Sequence, residues 1–192
     1  TQGVSSAASD VYKRQLSIMA GITLGRLSDS FPDAQNVIRS MPNTPGQIGE
    51  GITGFVFLNS PNQSEHRLVT NILSSLGESF ELKSEEDIDR ITAISGSGPA
   101  YLFEFTCALE CAAKEIGLPE KLASKFALQT VTGASKLLAV SGLHPEELRD
   151  QVTSPKGTTQ AALESLEKNN LRKIVQDAVE AAKARSIELS NA

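Results

Sequence analysis

The chain has two cysteines, two histidines and no apolar run near the roughly 20 residues that a membrane-spanning helix requires, and each shortage removes a class of function. Cys107 and Cys111 stand four apart in an alanine-rich stretch of helical period. Two cysteines with no histidine nearby cannot complete a tetrahedral zinc site, and a bridge between i and i+4 of one helix is badly oriented. Buried thiols are the expectation, and no metal is implied. Lys and Arg number 18 against 23 Asp and Glu, a net charge of −5, and they form no cluster that could follow a phosphate backbone. Nucleic acid is therefore not an expected partner, and neither is a membrane. No G-x-G-x-x-G turn stands near the start of the chain, so the opening strand–turn–helix unit of a doubly wound dinucleotide sheet is not expected within these residues. No basic start followed by an apolar core marks a secretory signal, and the expected location is cytoplasmic.

What remains is ordinary globular material. The 192 residues, 40% hydrophobic and 21% charged, suffice for one mid-sized domain or two small ones. Residues 1–15 fit poorly with the rest of the chain, being small and polar and then charged without amphipathic period. They read as foreign sequence ahead of the native chain, or else as a native flexible arm. From Leu16 strands and helices alternate. Strands are expected at 16–20, 36–41, 51–58 and 79–82. Helices are expected at 22–31 and 61–76, the second with Leu68, Ile72 and Leu76 at four-residue steps. That alternation argues an α/β layer. From 85 onward the pattern is helical throughout, with helices expected over 87–93, from Ser97 to 116, from Pro119 with Leu122, Phe126, Val131, Ala134 and Leu138 as an apolar stripe, from His144, over 159–168, and over 171–189. These apolar faces are too extensive for one copy alone, and oligomerisation would cover them. His66 lies in a polar helical segment, and His144 reads as a helix cap rather than a catalyst.

Three irregular segments interrupt this regularity. They are Met41-Pro42-Asn43-Thr44-Pro45, Ser95-Gly96-Ser97-Gly98-Pro99-Ala100 and Thr153-Ser154-Pro155-Lys156-Gly157-Thr158-Thr159. Each combines backbone amides free to point outward with short hydroxyl side chains, and the last two are expected to lead into helix N-termini. Such places suit anions, because the first amides of a helix lack internal partners and the dipole is positive there. Taken singly each segment is a turn or a cap; together they are more specific.

With these motifs in place, the sequence from Leu16 to Leu189 resembles the pyrroline-5-carboxylate reductases. The resemblance rests on Ser17-Ile18-Met19-Ala20-Gly21, on Arg39-Ser40-Met41-Pro42-Asn43-Thr44-Pro45 with Gly49-Glu50-Gly51, and on Ile94 to Tyr101. It rests above all on Asp150 to Thr159 running into Ala161 to Leu166. Lys156 departs from the pattern, where the family more often carries glycine.

The resemblance implies the C-terminal part of a Rossmann-type cofactor domain at 16–84 and an all-helical dimerisation and substrate-binding domain at 85–192, behind the 1–15 leader. It implies an oxidoreductase that reduces 1-pyrroline-5-carboxylate to L-proline, the last step of proline biosynthesis, by hydride transfer from NADPH or NADH. It implies a homodimer, with dimers assembling into a decamer in several members. By the same match Ala20, Asn43, Thr44 and Pro99 lie near the nicotinamide end of the cofactor. Ser154, Gly157 and Thr158 hold the substrate carboxylate, and Thr159, the catalytic candidate, meets the ring nitrogen. Residue chemistry agrees, since hydride comes from the cofactor and no protein nucleophile is needed. Two other readings stand beside this one: a related imine or 3-hydroxyacid dehydrogenase, and a non-catalytic helical dimerisation fragment.

Overall fold

Val37 and Ile38 are neighbours in sequence, are both buried, and belong to different hydrophobic clusters; the same holds for Phe55 and Val56. Successive side chains of a strand point to opposite faces, so a sheet buried on both faces reads as a continuous apolar run. That is why Asn36 to Ser40 is buried without alternation. The computed structural model describes residues 14–191. Strand β2 (Asn36–Met41) and strand β3 (Gly51–Phe57) form the centre of a four-stranded sheet flanked by β1 (Arg14–Ser17) and β4 (Gly77–Glu81), in the order β1-β2-β3-β4. β1 runs parallel to β2 and β3 parallel to β4, while β2 and β3 are antiparallel. Parallel neighbours need crossovers, supplied by helices α1 (Leu24–Ser30) and α2 (Gln63–Ser74). One face packs Leu24 and Leu27 of α1 and Ile88 of helix α3 (Glu86–Ile91) on Val37 and Val56. The other packs Val69 and Leu73 of α2 on Ile38 and Phe55.

The first strand sits earlier than its sequence suggests. It ends at Ser17, and Ile18 and Met19 are each 60% exposed beyond it. Apolar character misled here, because these residues leave the sheet rather than enter it. Residues 1–13 of the expected leader lie outside the described residues, but Arg14 and Gln15 pair in register with Asn36 and Val37. Arg14 Nε also stands 3.0 Å from Oε1 of Glu65, whose side chain is only 7% exposed. Helix α2 buries Glu65, Val69 and Leu73 rather than Leu68, Ile72 and Leu76, of which the first two are exposed. Both series have helical spacing, and the sheet contact chooses between them.

Beyond β4 Ser97 stands as expected immediately before the long helix, as a single bend residue that ends a π-helical turn. Helix α3 passes through that turn, Thr92–Gly96, and then Ser97 into α4 (Gly98–Glu115), with the Ser97 amide donating to the Thr92 carbonyl. The remaining helices are α5 (Glu120–Ser141), α6 (Pro145–Gln151), α7 (Thr158–Lys168) and α8 (Leu171–Asn191). His144 caps α6 as its position suggests: its Nδ1 accepts from the Glu146 amide at 3.3 Å, and its own amide donates to Glu147 at 3.1 Å. The chain divides into two compact units, the first running through Pro99 and including Val179 onward, the second being Ala100–Ala178.

In the second unit only Ala123 and Ala127 of α5 are buried among the described residues. Phe103, Phe105, Phe126, Leu128, Ile174 and Val175 are exposed. Cys107 and Cys111 are exposed as well, against the expectation of buried thiols. They lie on a helix with no buried residue at all among those described, so apolar composition there does not mean a core within one copy.

Candidate cofactor and substrate sites

Ligands of open α/β sheets bind outside the carboxyl ends of parallel strands. In the first unit the carboxyl ends of β1 and β2 are adjacent, since Ser17 pairs with Arg39. Ala20 lies in the turn leaving β1, and Asn43 and Thr44 lie in the turn leaving β2. Asn43 precedes the 3-10 turn Thr44–Ile48 and receives the Ile52 amide on Oδ1 at 3.0 Å, which fixes the loop to the start of β3. Pro99 stands in the first turn of α4. The π-helical turn ahead of it packs on the end of β2, where a Cβ built on Gly96 would lie 3.0 Å from Met41 Cε. Ala20, Asn43 and Thr44 thus stand on one edge of the sheet. Within the Ser95–Ala100 segment a π-helical turn ends at Gly96, Ser97 is a bend, and α4 starts at Gly98.

Beneath these loops lies a charged cluster that periodicity alone did not disclose. Arg39, 1% exposed on β2, reaches Glu85 Oε1 at 2.9 Å and Asp89 Oδ1 at 3.4 Å. The same Glu85 oxygen accepts the Leu24 amide at 2.7 Å, anchoring the start of α1. Asp89 Oδ1 also accepts from Ser186 Oγ at 2.7 Å and Ser190 Oγ at 3.3 Å, both near the end of α8. A signal for this existed: an arginine inside an apolar strand demands acidic partners, and Glu85/Asp89 and Ser186/Ser190 each share one helix face at i,i+4.

In the second unit, α6 ends in a tight loop. Thr153 Oγ1 donates to the Arg149 carbonyl at 2.6 Å, and the Gly157 amide to the Ser154 carbonyl at 3.0 Å. Lys156 adopts the left-handed φ of 60°, a conformation that glycine takes without strain. Its amide is taken up by Gln160 Oε1 at 2.7 Å. Gly157 is the N-cap of α7 and makes no side-chain cap. A Cβ at Gly157 would collide with Ser154 Oγ, so the serine hydroxyl lies directly against the cap. The amides of Thr158, Thr159 and Gln160 have no backbone partner among the described residues. Thr159 is therefore the second residue of α7, not its cap, and its hydroxyl makes no hydrogen bond to another described residue. Ser154, Gly157, Thr158 and Thr159 are brought together on one loop and helix start.

Alongside, Arg172 Nη2 of α8 binds Glu146 Oε1 of α6 at 2.6 Å. That hydrogen bond, reinforced by the charges of Arg172 and then Arg149, holds the Glu146 carboxyl below its usual range. Asp150, hydrogen-bonded to Arg149, in turn holds that guanidinium above its ordinary value. A groove of about 820 Å³ lined in part by Arg149, Leu163, Leu166, Asn170 and Leu171 contains none of the four substrate candidates.

A parallel strand pair with loops at its carboxyl end, joined to a helical unit, defines a Rossmann-type α/β layer followed by an all-α domain. Residues 85–189 match the family model for pyrroline-5-carboxylate reductase dimerisation. The chain is 38% identical over 175 residues to the pyrroline-5-carboxylate reductase of Pseudomonas aeruginosa, covering 91% of this chain and 64% of that protein. It is 40% identical over 174 residues to that of Synechocystis, again covering 91% and 64%. Its structure resembles a pyrroline-5-carboxylate reductase from Coxiella burnetii at TM-score 0.87 and 34% identity, covering 96% of this chain and 70% of that one. It resembles the Plasmodium falciparum pyrroline carboxylate reductase, solved with NADP bound, at TM-score 0.83 and 34% identity, covering 93% and 71%. The chain belongs to the pyrroline-5-carboxylate reductase family. It spans about 64% of the length of these curated relatives.

Proposed function

We propose that the intact protein reduces 1-pyrroline-5-carboxylate to L-proline with NADPH or NADH. The observation that carries this reading is the start of α7, where three amides without backbone partners and the Ser154 hydroxyl converge next to Thr159. Such a cradle suits a carboxylate, which accepts from helix-terminal amides and short hydroxyls. Ser154, Gly157 and Thr158 hold that carboxylate, and Thr159 offers its hydroxyl to the ring nitrogen. The first unit fits a dinucleotide: small or short side chains, Ala20 and Thr44, are exposed at the carboxyl ends of adjacent parallel strands, with Asn43 fixed between them. Ala20, Asn43, Thr44 and Pro99 hold its nicotinamide end, so that residues 16–84 serve the cofactor and 85–192 serve substrate and dimerisation. A bound nicotinamide supplies hydride to the imine carbon. Thr159 holds a hydrogen bond at the nitrogen, where a proton has to arrive to complete the amine. The remaining work is positioning, which converts a bimolecular encounter into a reaction within one complex.

The exposed apolar side chains of α4, α5 and α8 support a homodimer formed through the second unit; further assembly of dimers into a decamer rests on the family resemblance alone. The 192 residues alone are inactive on this reading, because no glycine-rich turn between a strand and a helix stands near the start of the chain; Gly49-Glu50-Gly51-Ile52-Thr53-Gly54 has the spacing but runs into β3. The test compares pyrroline-5-carboxylate-dependent oxidation of NADPH by this chain and by the protein extended with its upstream coding sequence. Turnover only in the extended protein supports the proposal. No turnover in either overturns the enzymatic reading in favour of a dimerisation module.

A further inference from the structure

Within the first unit the end of α8 meets the sheet and its loops at two separate places, and neither is required by the helix itself. Gly21 has a φ of 73°, and a Cβ there would stand 2.9 Å from Leu189 Cβ and 3.2 Å from the Leu189 carbonyl carbon and oxygen. The turn that carries Ala20 therefore lies directly against the last turn of α8. Close by in the same helix, buried Ser186 donates to Asp89, and Ser190 both donates to Asp89 and accepts from Arg39 Nη2 at 3.3 Å. Arg39 in turn shares Glu85 with the Leu24 amide, the first of the helix after the Ala20–Gly21 turn. The turn is thus held from both ends, by Leu189 on one side and by the Ser186/Ser190–Asp89–Arg39–Glu85 chain on the other.

We propose that the segment Ser186 to Ser190 positions the Ala20–Gly21 turn, directly through Leu189 and indirectly through Arg39. The physical reason is the cost of withdrawal. If the end of α8 moved away, Asp89 Oδ1 would lose two hydroxyl donors and Arg39 one acceptor at a site where the guanidinium is almost fully buried. Unsatisfied buried charge is costly enough to keep the segment seated. That this turn meets the cofactor rests on the function proposed above; the restraint on the turn does not.

The test uses Ser186→Ala with Ser190→Ala in this chain, and separately removal of Leu189 to Ala192. Neither removes a core residue, so they remain informative if Arg39→Met fails to fold. Amide hydrogen exchange is followed at residues 19–24, including Leu24, with residues 69–73 of α2 as an internal reference. Exchange at 19–24 is expected to quicken at least about tenfold while α2 is unchanged. Equal acceleration at both places, or none at 19–24, overturns the proposal. In the upstream-extended protein the same serine pair is expected to raise KM for NADPH about tenfold with kcat and KM for pyrroline-5-carboxylate held within about twofold. Equal losses for both substrates would refute the positioning role. An extended protein with no activity at all, whose exchange nevertheless responds as expected, would sink the reductase reading and leave the α8 restraint intact.

Discussion

Thr159→Val separates a structural threonine from a chemical one, because valine keeps the β-branched shape and deletes the hydroxyl. The residue is the second of α7, Gly157 occupies the cap, and the hydroxyl has no hydrogen bond to another described residue. No N-cap bond is therefore lost, and the roughly 0.5–2 kcal/mol penalty of removing a cap does not apply. Stability is expected to change by no more than about 0.5 kcal/mol, as for an ordinary partly exposed site. Turnover is a different matter. A hydrogen bond at the ring nitrogen that strengthens as charge develops contributes about 1.5–3 kcal/mol, which is about a ten- to hundredfold loss in kcat/KM. The assays are thermal unfolding of this chain and steady-state kinetics of the upstream-extended protein with pyrroline-5-carboxylate varied at saturating NADPH. Ser154→Ala provides the contrast and is expected to act mainly through KM, since a carboxylate contact persists from ground state to transition state. A Thr159→Val protein that melts several degrees lower and turns over normally would refute the assignment.

Arg14→Met should destabilise the first unit by about 1–3 kcal/mol in denaturant titration, because it leaves the carboxylate of nearly buried Glu65 without its cation, and Arg14 is itself part exposed. An unchanged midpoint would mean that Arg14 and Gln15 belong with a dispensable leader. The Glu146 carboxyl is held below the ordinary glutamate range by its hydrogen bond to Arg172, so its contribution is present above that range and is lost as pH falls through the lower folded-state value. Glu146→Gln should accordingly lower the melting temperature at pH 7 and narrow the gap to the parent as acid protonates the carboxyl; parallel curves at all pH would contradict this. Ala134→Glu, on the exposed side of α5, is expected to shift the sedimentation of the chain from dimer to monomer at micromolar concentration, and an unaltered dimer would place the interface elsewhere.

The order of elements and the family were legible in the sequence, because each of these rests on local pattern. Strands at Asn36–Met41 and Gly51–Phe57 show in runs of β-branched and aromatic residues, and the cap at His144 in the Pro-Glu-Glu directly after it. The loop from Thr153 to Thr159 reads as an anion-binding helix start because glycine and hydroxyl residues leave amides free there. Choices between equivalent local patterns were left to the folded chain. Val69 and Leu73 face the sheet while Leu68 and Ile72, of the same helical period, do not, and only the packing partner distinguishes them. Ser97 stands directly before α4 as its sequence suggests, but the π-helical turn ahead of it, with Gly96 close against Met41 of β2, has no local signature. Arg39 required acidic partners 46 and 50 residues away, and a serine 151 residues away adds a further acceptor. Propensity and periodicity act over a few residues, whereas burial, charge pairing and close approach are properties of surfaces that exist only once the chain has folded.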